Sequence, residues 1–200
     1  AFEKVRAIVE EELGRPLDAV FSRFEETPMA SASIAQVHAA ELATGERVVV
    51  KVQRPNLEEI ITTDIEIMHF FAALMEGLIL RSDTLNASAV IDEFGKSLRR
   101  EIDFTVEAAN IRKFAGQFRG NPRLYVPAVH DGLTTKRVLV MERIDGIKVS
   151  NVRALLSSGA DPKTVARNGA EVVVEQIFSH GFFHADPHPG NIFVDRKSVV

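Results

Sequence analysis

The sequence predicts an α+β fold in which a small, strand-rich lobe is followed by a helical lobe. The first part of the chain contains short β-alternating segments, and two long helical stretches follow. The last part is mostly helical and contains one loop dense in Pro, His and Gly. A natural seam falls after Glu142, where Ile144-Asp145-Gly146 breaks a strand pattern. The predicted N-terminal lobe therefore covers residues 1–142, and residues 143–200 begin the C-terminal lobe.

The composition is that of an ordinary folded protein. Of 200 residues, 46% are hydrophobic and 26% are charged, which argues against disorder. The 24 Lys and Arg residues and the 28 Asp and Glu residues give a formal charge of −4. This argues against a general nucleic-acid binder, because such proteins carry a basic excess. The chain has no cysteine, which excludes disulfides, thiolate metal sites and thiol nucleophiles.

Neither the start of the chain nor its most apolar window predicts a targeting or membrane-spanning segment. Residues 1–4 lack an apolar stretch behind a basic end. Three polar residues, Glu66, His69 and Glu76, interrupt the window Ile65–Leu80, whereas a membrane span needs about 20 mostly apolar residues. We therefore expect a buried helix there, and we expect both chain ends to be cut points rather than natural termini.

Hydrophobic periodicity predicts the elements in order. The expected helices cover residues 2–13, 57–80, 87–118, 152–156 and 161–180, with a short helix or turn within 17–24. Five strands are expected in the small lobe, near residue 24 and at 34–39, 47–53, 126–130 and 137–142, and one more at 192–194. Asp161 and Pro162 are a favourable N-cap and first helical residue for the last helix, and Gly181 ends it.

The loop His184-Ala185-Asp186-Pro187-His188-Pro189-Gly190-Asn191 carries the strongest chemical signal. Asp186 and Asn191 are five residues apart, which is the spacing of the protein-kinase catalytic loop. In that arrangement the aspartate orients or accepts the proton of the attacking oxygen, and the asparagine oxygen binds Mg²⁺. Two prolines restrict the loop and reduce the entropy cost of fixing it.

Two other readings of this loop stay open. His184, Asp186 and His188 alternate in the manner of metal ligands, which would suit metal-assisted hydrolysis. No second ligand cluster appears upstream, and the prolines make the geometry of such a triad uncertain. The loop could also be a structural turn with no chemistry.

A second signal is Lys51, which interrupts the apolar strand Val48–Gln53. A lysine in such a strand costs desolvation unless it is paired. The pattern is similar to the kinase strand whose lysine holds the α- and β-phosphates and an acidic helix residue. A solvated lysine on an edge strand is the alternative.

Two further features could complete a nucleotide site. Ala30, Ser31, Ala32 and Ser33 form a small-residue turn where a kinase has its glycine-rich loop; they allow close backbone approach but not the easy positive φ of glycine. The alternative is that this turn only connects two strands and has no role in binding. Glu101, Asp103 and Glu107 are candidate partners of Lys51, although three acids on a helix are usually a solvated face.

Together these residues resemble the UbiB family of atypical kinase-like proteins, which are linked to ubiquinone and other isoprenoid-lipid metabolism. Five motifs match in order over nearly the whole chain: Ala30-Ser31-Ala32-Ser33, with Ser31 in place of the middle alanine of the family loop, Lys51 in Val50-Lys51-Val52-Gln53-Arg54-Pro55, Glu101-Ile102-Asp103, Met141-Glu142 and the loop 184–191. The resemblance implies a bilobal, protein-kinase-like fold with long helices inserted in its β-rich lobe and a truncated helical lobe.

The resemblance also implies roles for individual residues. Lys51 would bind the α- and β-phosphates of ATP, Glu107 would pair with Lys51, and the loop Ala30–Ser33 would cover the phosphates. Met141 and Glu142 would form the hinge whose backbone meets adenine, and Glu101 and Asp103 would be the regulatory E-x-D motif. Asp186 would act as the catalytic aspartate and Asn191 would bind Mg²⁺.

Two family motifs have no match in this sequence. The K-x-G-Q motif is not found before the small-residue loop, and no D-F-G follows the catalytic loop. In the family, the aspartate of D-F-G supplies a second Mg²⁺ ligand. We read both as truncation, and we expect the fragment by itself to be inactive.

The implied function is an ATP- and Mg²⁺-dependent kinase-like phosphotransferase or ATPase that supports ubiquinone biosynthesis. Two alternatives are a nucleotide-binding pseudokinase scaffold of a membrane biosynthetic complex and a small-molecule kinase similar to aminoglycoside phosphotransferases. The latter share an H-G-D-x-H-x-x-N loop, but Ala185 replaces its glycine here.

Expected partners are ATP, an isoprenoid lipid or quinone precursor, and proteins of a biosynthetic complex, but not nucleic acid. A membrane surface would be reached through segments outside this chain. The expected location is the cytoplasmic side of the inner membrane in a bacterium, or a mitochondrion or plastid in a eukaryote.

Overall fold

The computed structural model describes residues 2–78, 86–183, 190 and 192–195. The chain divides into two compact units. Unit 1 comprises Ala1–Ala108 and His130–Val140, and unit 2 comprises Ala109–Val129 and Met141–Val200. The division into lobes at residues 142 and 143 stays a prediction.

After two N-terminal helices, the elements follow the predicted order of strands, helices, strands and helices, and a short strand comes last among the described elements. The helices are α1 (Phe2–Leu13), α2 (Leu17–Val20), α3 (Leu57–Leu78), α4 (Ala87–Glu101), α5 (Phe104–Gln117), α6 (Val152–Ser157) and α7 (Pro162–Glu175). The strands are β1 (Phe21–Phe24), β2 (Ala30–Ser31), β3 (Ala35–Leu42), β4 (Arg47–Gln53), β5 (Val138–Glu142), β6 (Ile147–Lys148) and β7 (Phe193–Val194).

Unit 1 is built on a five-stranded sheet in which the order is β1-β3-β4-β5 and β2 also pairs with β3. Strand β3 is antiparallel to each of its three neighbours. Phe24 of β1 lies opposite Ala40 of β3, and both Ala30 of β2 and Lys51 of β4 lie opposite Val37 of β3. The predicted number of strands is correct, but the fifth is the short β2 rather than residues 126–130. Those residues contribute one bridge, from Val129 to Met141, and Pro127 has no N–H for a ladder.

Strand β4 separates the core of the sheet from a polar face. Its odd and even positions point to opposite faces, as pleating requires. Val48, Val50 and Val52 are almost fully buried, at 0%, 0% and 1% exposure, in a core shared with α1, α2, β1, β3 and β5. Lys51 and Gln53 lie on the opposite face of the same strand.

Helices α3 and α4 form a helical pair with a core of its own. Ile61, Ile65 and Ala72 of α3 pack with Ile91 of α4. A close approach at Gly95 permits this contact, because a Cβ there would lie 3.1 Å from Cδ1 of Ile65. Within the predicted window, the side chains of residues 65–75 are therefore buried along one stripe only.

The single helix predicted over residues 87–118 is wrong, because the chain breaks at Ile102 and Asp103. Asp103 Oδ1 accepts hydrogen bonds from the N–H of Thr105 at 2.9 Å and from its hydroxyl at 2.6 Å, as a capping residue does. The N–H of Phe104 donates to the carbonyl of Lys136 at 3.0 Å instead of continuing α4. Glu101 and Asp103 consequently lie on two different segments and not on one helix.

Helix α7 of unit 2 begins as predicted, but its α-helical part ends at Glu175, before the predicted end near residue 180. The Asp161 carboxylate accepts from the N–H groups of Lys163 and Thr164, both at 3.1 Å, and Pro162 follows. Its hydrogen bond from the Thr164 hydroxyl is the main cause that lowers the pKa of Asp161. After α7 the backbone continues as a π-helical segment over Gln176–His180, and Gly181 ends it at φ 61°.

A polar network holds α7 against the segment that follows α5. Arg123 pairs with Glu171 and, at 3.4 Å, with Glu175. Asn121 donates to the same Glu175 carboxylate at 3.4 Å. All four residues belong to unit 2.

Over residues 2–78, 86–183 and 192–195, none of the helices combines the length and apolar character that crossing a membrane requires.

Replacement of Gly146 by alanine is expected to destabilise unit 2. A Cβ at this position would lie 2.9 Å from Cβ of Phe193 and 3.2 Å from the carbonyl oxygen of Val194, so the β6–β7 pair would have to shift. We expect a loss of about 1–3 kcal/mol, measured by thermal unfolding followed by circular dichroism.

Gly169→Ala is the matched control, because a Cβ there meets nothing within 4 Å and the residue lies inside α7. Removing a helical glycine should stabilise the protein by up to about 1 kcal/mol. If Gly146→Ala unfolded at the same temperature as Gly169→Ala or above it, the close approach at Gly146 would be wrong.

Candidate functional site

Lys51 lies on the polar face of β4, where it meets the first turn of α5. Its Nζ donates to both carboxylate oxygens of Glu107, at 2.9 Å to Oε1 and 2.7 Å to Oε2. The two side chains are 23% and 35% exposed, so the pair is largely shielded from water but still accessible. The candidate of the sequence analysis and its proposed partner, 56 residues apart, are thus in direct contact.

The ring of Phe104 supports this ion pair from inside the unit. Phe104 is fully buried, and Lys51 Nζ lies 4.8 Å from its ring centroid, within cation–π distance. The ammonium group of Lys51 thus has two partners, the face of the Phe104 ring and the carboxylate of Glu107. The sequence analysis did not select Phe104, although its place three residues before Glu107 puts both on one helical face.

Gln53 determines where α5 begins relative to β4. Its side-chain amide is buried and donates to the carbonyl of Lys136 at 3.1 Å and also to that of Ile102. These bonds fasten β4 to the break between α4 and α5, and they fix the position from which Glu107 projects. The sequence signal for this role is a polar residue at the end of a run of buried valines.

The small-residue segment Ala30–Ser33 is half strand and half turn. Ala30 and Ser31 form β2, and Ala32 N–H donates to the carbonyl of Ala35 at 2.8 Å to close the turn. All four side chains are exposed, and their φ angles are negative. The segment therefore presents its backbone without the left-handed conformations that a glycine loop uses.

Met141 and Glu142, the candidate hinge residues, belong to unit 2. The Glu142 carboxylate accepts from the hydroxyl of Tyr125 at 2.5 Å and from the N–H of Ala128 at 3.1 Å. The N–H of Glu142 itself donates to the carbonyl of Ala128 at 2.8 Å. Glu142 is thereby fixed at both its side chain and its backbone, and the sequence analysis did not select Tyr125.

The two E-x-D residues have different environments. Glu101 is exposed at the end of α4, whereas Asp103 is half-buried and caps α5. Asp103 thus has a structural role at the start of the helix that carries Glu107. The regulatory role assigned to this motif stays a prediction.

Asp186 and Asn191, together with the alternative metal ligands His184 and His188, lie outside the described residues. Among the described residues that precede this loop is Phe182, whose ring lies 4.0 Å from Nζ of Lys113 in α5. The catalytic and Mg²⁺-binding roles of the loop stay predictions, and so does the metal alternative.

The strand lysine, its helix glutamate and the preceding small-residue turn are arranged as in a kinase-like domain, and the comparison with protein families agrees. The ABC1 atypical kinase-like domain matches residues 1–200. The chain therefore belongs to the ABC1 atypical kinase-like family.

Two bacterial relatives illustrate the match. Proteins named "Probable protein kinase UbiB" from Azotobacter vinelandii and Pseudomonas paraeruginosa are 44% and 45% identical over 191 and 190 residues. The matches cover 96% and 95% of this chain but 36% of each relative. The chain thus spans little more than a third of the length of the curated relatives that it matches.

A solved structure agrees with the same fold. Rv3197 of Mycobacterium tuberculosis, determined in complex with erythromycin, is 29% identical and has a TM-score of 0.78. The match covers 100% of this chain and 50% of that protein. The predicted UbiB resemblance and the predicted kinase-like α+β fold are both confirmed.

The hydrogen bond between Tyr125 and Glu142 gives a direct spectroscopic test. It is the main cause that raises the pKa of Tyr125 from 10.0 to about 12. The stabilising contribution is therefore complete below pH 10 and is lost as the pH rises through about 12. Because this is the only tyrosine and there is no tryptophan, phenolate absorbance reports Tyr125 alone.

We expect a phenolate midpoint near 12 in the unchanged protein and a lower midpoint in Glu142→Gln, because the amide carries no negative charge. Glu46→Gln, in the β3–β4 turn, is the control and should leave the midpoint unchanged. Equal midpoints in the unchanged protein and Glu142→Gln would contradict the contact.

Proposed function

We propose that the protein containing this chain is an ATP-dependent kinase-like phosphotransferase or ATPase that supports ubiquinone biosynthesis. The single observation that carries the proposal is the contact of Lys51 with Glu107 at 2.7 Å on the polar face of β4. A lysine held by a helix glutamate is how kinase-like sites keep an ammonium group oriented toward the nucleotide phosphates.

The described residues have the chemistry that ATP requires. Lys51 offers a positive charge that is positioned by Glu107 and Phe104 but is not fully buried. In the proposal it binds the α- and β-phosphates, and the exposed backbone of Ala30–Ser33 covers them. Met141 and Glu142 would supply backbone groups to adenine; the N–H of Glu142 already donates to Ala128, so the proposal relies on neighbouring groups.

Mg²⁺ would neutralise phosphate charge as the terminal phosphoryl group is transferred. In the proposal Asn191 supplies an oxygen ligand to this ion, as oxygen ligands suit it. Asp186 accepts or orients the proton of the attacking oxygen, which belongs to an acceptor hydroxyl or to water. The resulting products are ADP and either a phosphorylated acceptor or phosphate.

The place in ubiquinone biosynthesis rests on the UbiB relatives, which match nearly the whole chain. The proposed partner besides ATP is an isoprenoid lipid or a quinone precursor, reached at a membrane surface through segments outside this chain. In a bacterium this surface is the cytoplasmic side of the inner membrane. Proteins of a biosynthetic complex are further proposed partners.

Removing the ammonium group of Lys51 should weaken ATP binding in the complete protein. We expect Lys51→Met to raise the Kd for ATP about tenfold or more and to lower turnover by about 10²-fold. Glu107→Gln should reduce turnover less, because Lys51 keeps its charge but loses its ionic partner. Isothermal titration and a phosphate-release assay measure the two effects.

Lys96→Met is the control, since Lys96 is exposed on α4 and pairs with Glu93 at 3.4 Å. It should leave both quantities unchanged. ATP binding in Lys51→Met as tight as in the unchanged protein would contradict the role of Lys51.

Asp186→Asn in the complete protein should lower ATP turnover by about 10²–10⁴-fold while ATP still binds. Asp64→Asn, on the exposed surface of α3, is the matched control and should retain full turnover. Single-turnover measurement with labelled ATP separates an enzyme from a scaffold. If the unchanged protein binds ATP and never cleaves it, the protein is a pseudokinase scaffold and the enzymatic proposal fails.

A further inference from the structure

The small-residue segment Ala30–Ser33 has no side chain that could anchor it in the core. All four side chains are exposed, and the β2–β3 ladder ends at the pair Ser31–Gln36. The tip of the turn, at Ala32 and Ser33, lies beyond that ladder. A loop that binds phosphates through its backbone needs fixed peptide orientations, because each N–H donates in one direction only.

Arg54, the residue after β4, holds this tip. Its Nε donates to the carbonyl of Ala32 at 2.9 Å, and its backbone N–H donates to the carbonyl of Ile34, also at 2.9 Å. One residue therefore bonds to the turn through both its side chain and its backbone. The sequence analysis placed Arg54 in the lysine motif but gave it no role.

The backbone of Arg54 is itself restricted on both sides. Its N–H is bound to Ile34, and Pro55 follows, which confines the preceding residue to extended conformations. The turn at Asn56, with φ 60°, then leads into α3. The guanidinium group consequently starts from a fixed stem, so its bond to Ala32 has a defined direction.

In a trans peptide the C=O and the next N–H point in opposite directions. The structure has no cis peptide bonds among the described residues. Fixing the Ala32 carbonyl toward Arg54 therefore directs the N–H of Ser33 away from Arg54. This orientation makes that N–H a backbone donor of set direction at the tip of the loop.

We propose that Arg54 is a positioning residue for the nucleotide site: its Nε–H fixes the Ala32–Ser33 peptide so that the Ser33 N–H donates to a phosphate oxygen of ATP. The proposal rests on the proposed ATP-binding function and adds the residue that orders the phosphate loop. A loop without glycine gains its fixed geometry from this arginine and not from left-handed turns.

The test compares ATP with adenosine in the complete protein, because only ATP carries the phosphates. Arg54→Ala should raise the Kd for ATP about three- to tenfold, the effect of losing one ordinary hydrogen bond, and leave the Kd for adenosine unchanged. Arg54→Gln should recover most of the loss. Its Nε2 is bonded to Cδ as the arginine Nε is, so it can donate to Ala32 without a charge.

Arg23→Ala is the matched control, because Arg23 is an exposed arginine of the same sheet that pairs with Glu25 at 2.6 Å. It should leave both constants unchanged. An unchanged ATP constant in Arg54→Ala, or equal losses for ATP and adenosine, overturns the proposal. Equal ATP losses in Arg54→Gln and Arg54→Ala also overturn it, since Arg54 would then act through its charge.

Hydrogen exchange of the amides at residues 31–35 separates this proposal from the function on which it rests. Arg54→Ala should exchange these amides faster than the unchanged protein, whether or not a nucleotide binds. If the unchanged protein binds no ATP, the proposed function fails and the phosphate role of Arg54 with it. If ATP binds but exchange is the same in Arg54→Ala, only the positioning role fails.

Discussion

The contact between Lys51 and Glu107 is the constraint around which unit 1 is arranged. An ammonium group on a strand next to fully buried valines is costly unless a carboxylate and an aromatic ring compensate its lost hydration. Glu107 and Phe104 provide both, and they lie on one helical face of α5. The start of that helix is therefore a condition of placing the lysine.

The strand β4 meets this condition by using its two faces differently. Its valines complete the sheet core, while Lys51 and Gln53 on the other face bind α5 and the break that precedes it. Gln53 makes the buried bonds that set the position of the break, and Asp103 caps the helix that follows. Neighbouring residues of one strand thus fix both the charged pair and the helix that completes it.

The small-residue segment Ala30–Ser33 reaches a defined backbone without glycine. Its alanines and serines keep negative φ angles, and hydrogen bonds to β3 and Arg54 replace the packing that larger side chains would supply. A stiffer loop reorganises less when a ligand binds, which favours affinity over adaptability. In unit 2, Glu142 is likewise held by hydrogen bonds, from the hydroxyl of Tyr125 and the N–H of Ala128.

The sequence by itself determined the fold class, most helices and strands, the family motifs and the identity of the candidate residues, because periodicity, capping residues and motif spacing are local properties. It did not predict the break at Ile102–Asp103, the strand β2 or the roles of Gln53, Phe104, Arg54 and Tyr125. Each of these depends on partners between 17 and 83 residues away or on a backbone pairing, and only the folded chain brings such groups together. Lys51 shows the difference most clearly: its residue type and strand marked it as a candidate, and the family resemblance implied Glu107 as its partner, but only the folded chain brings these two side chains, 56 residues apart, into contact.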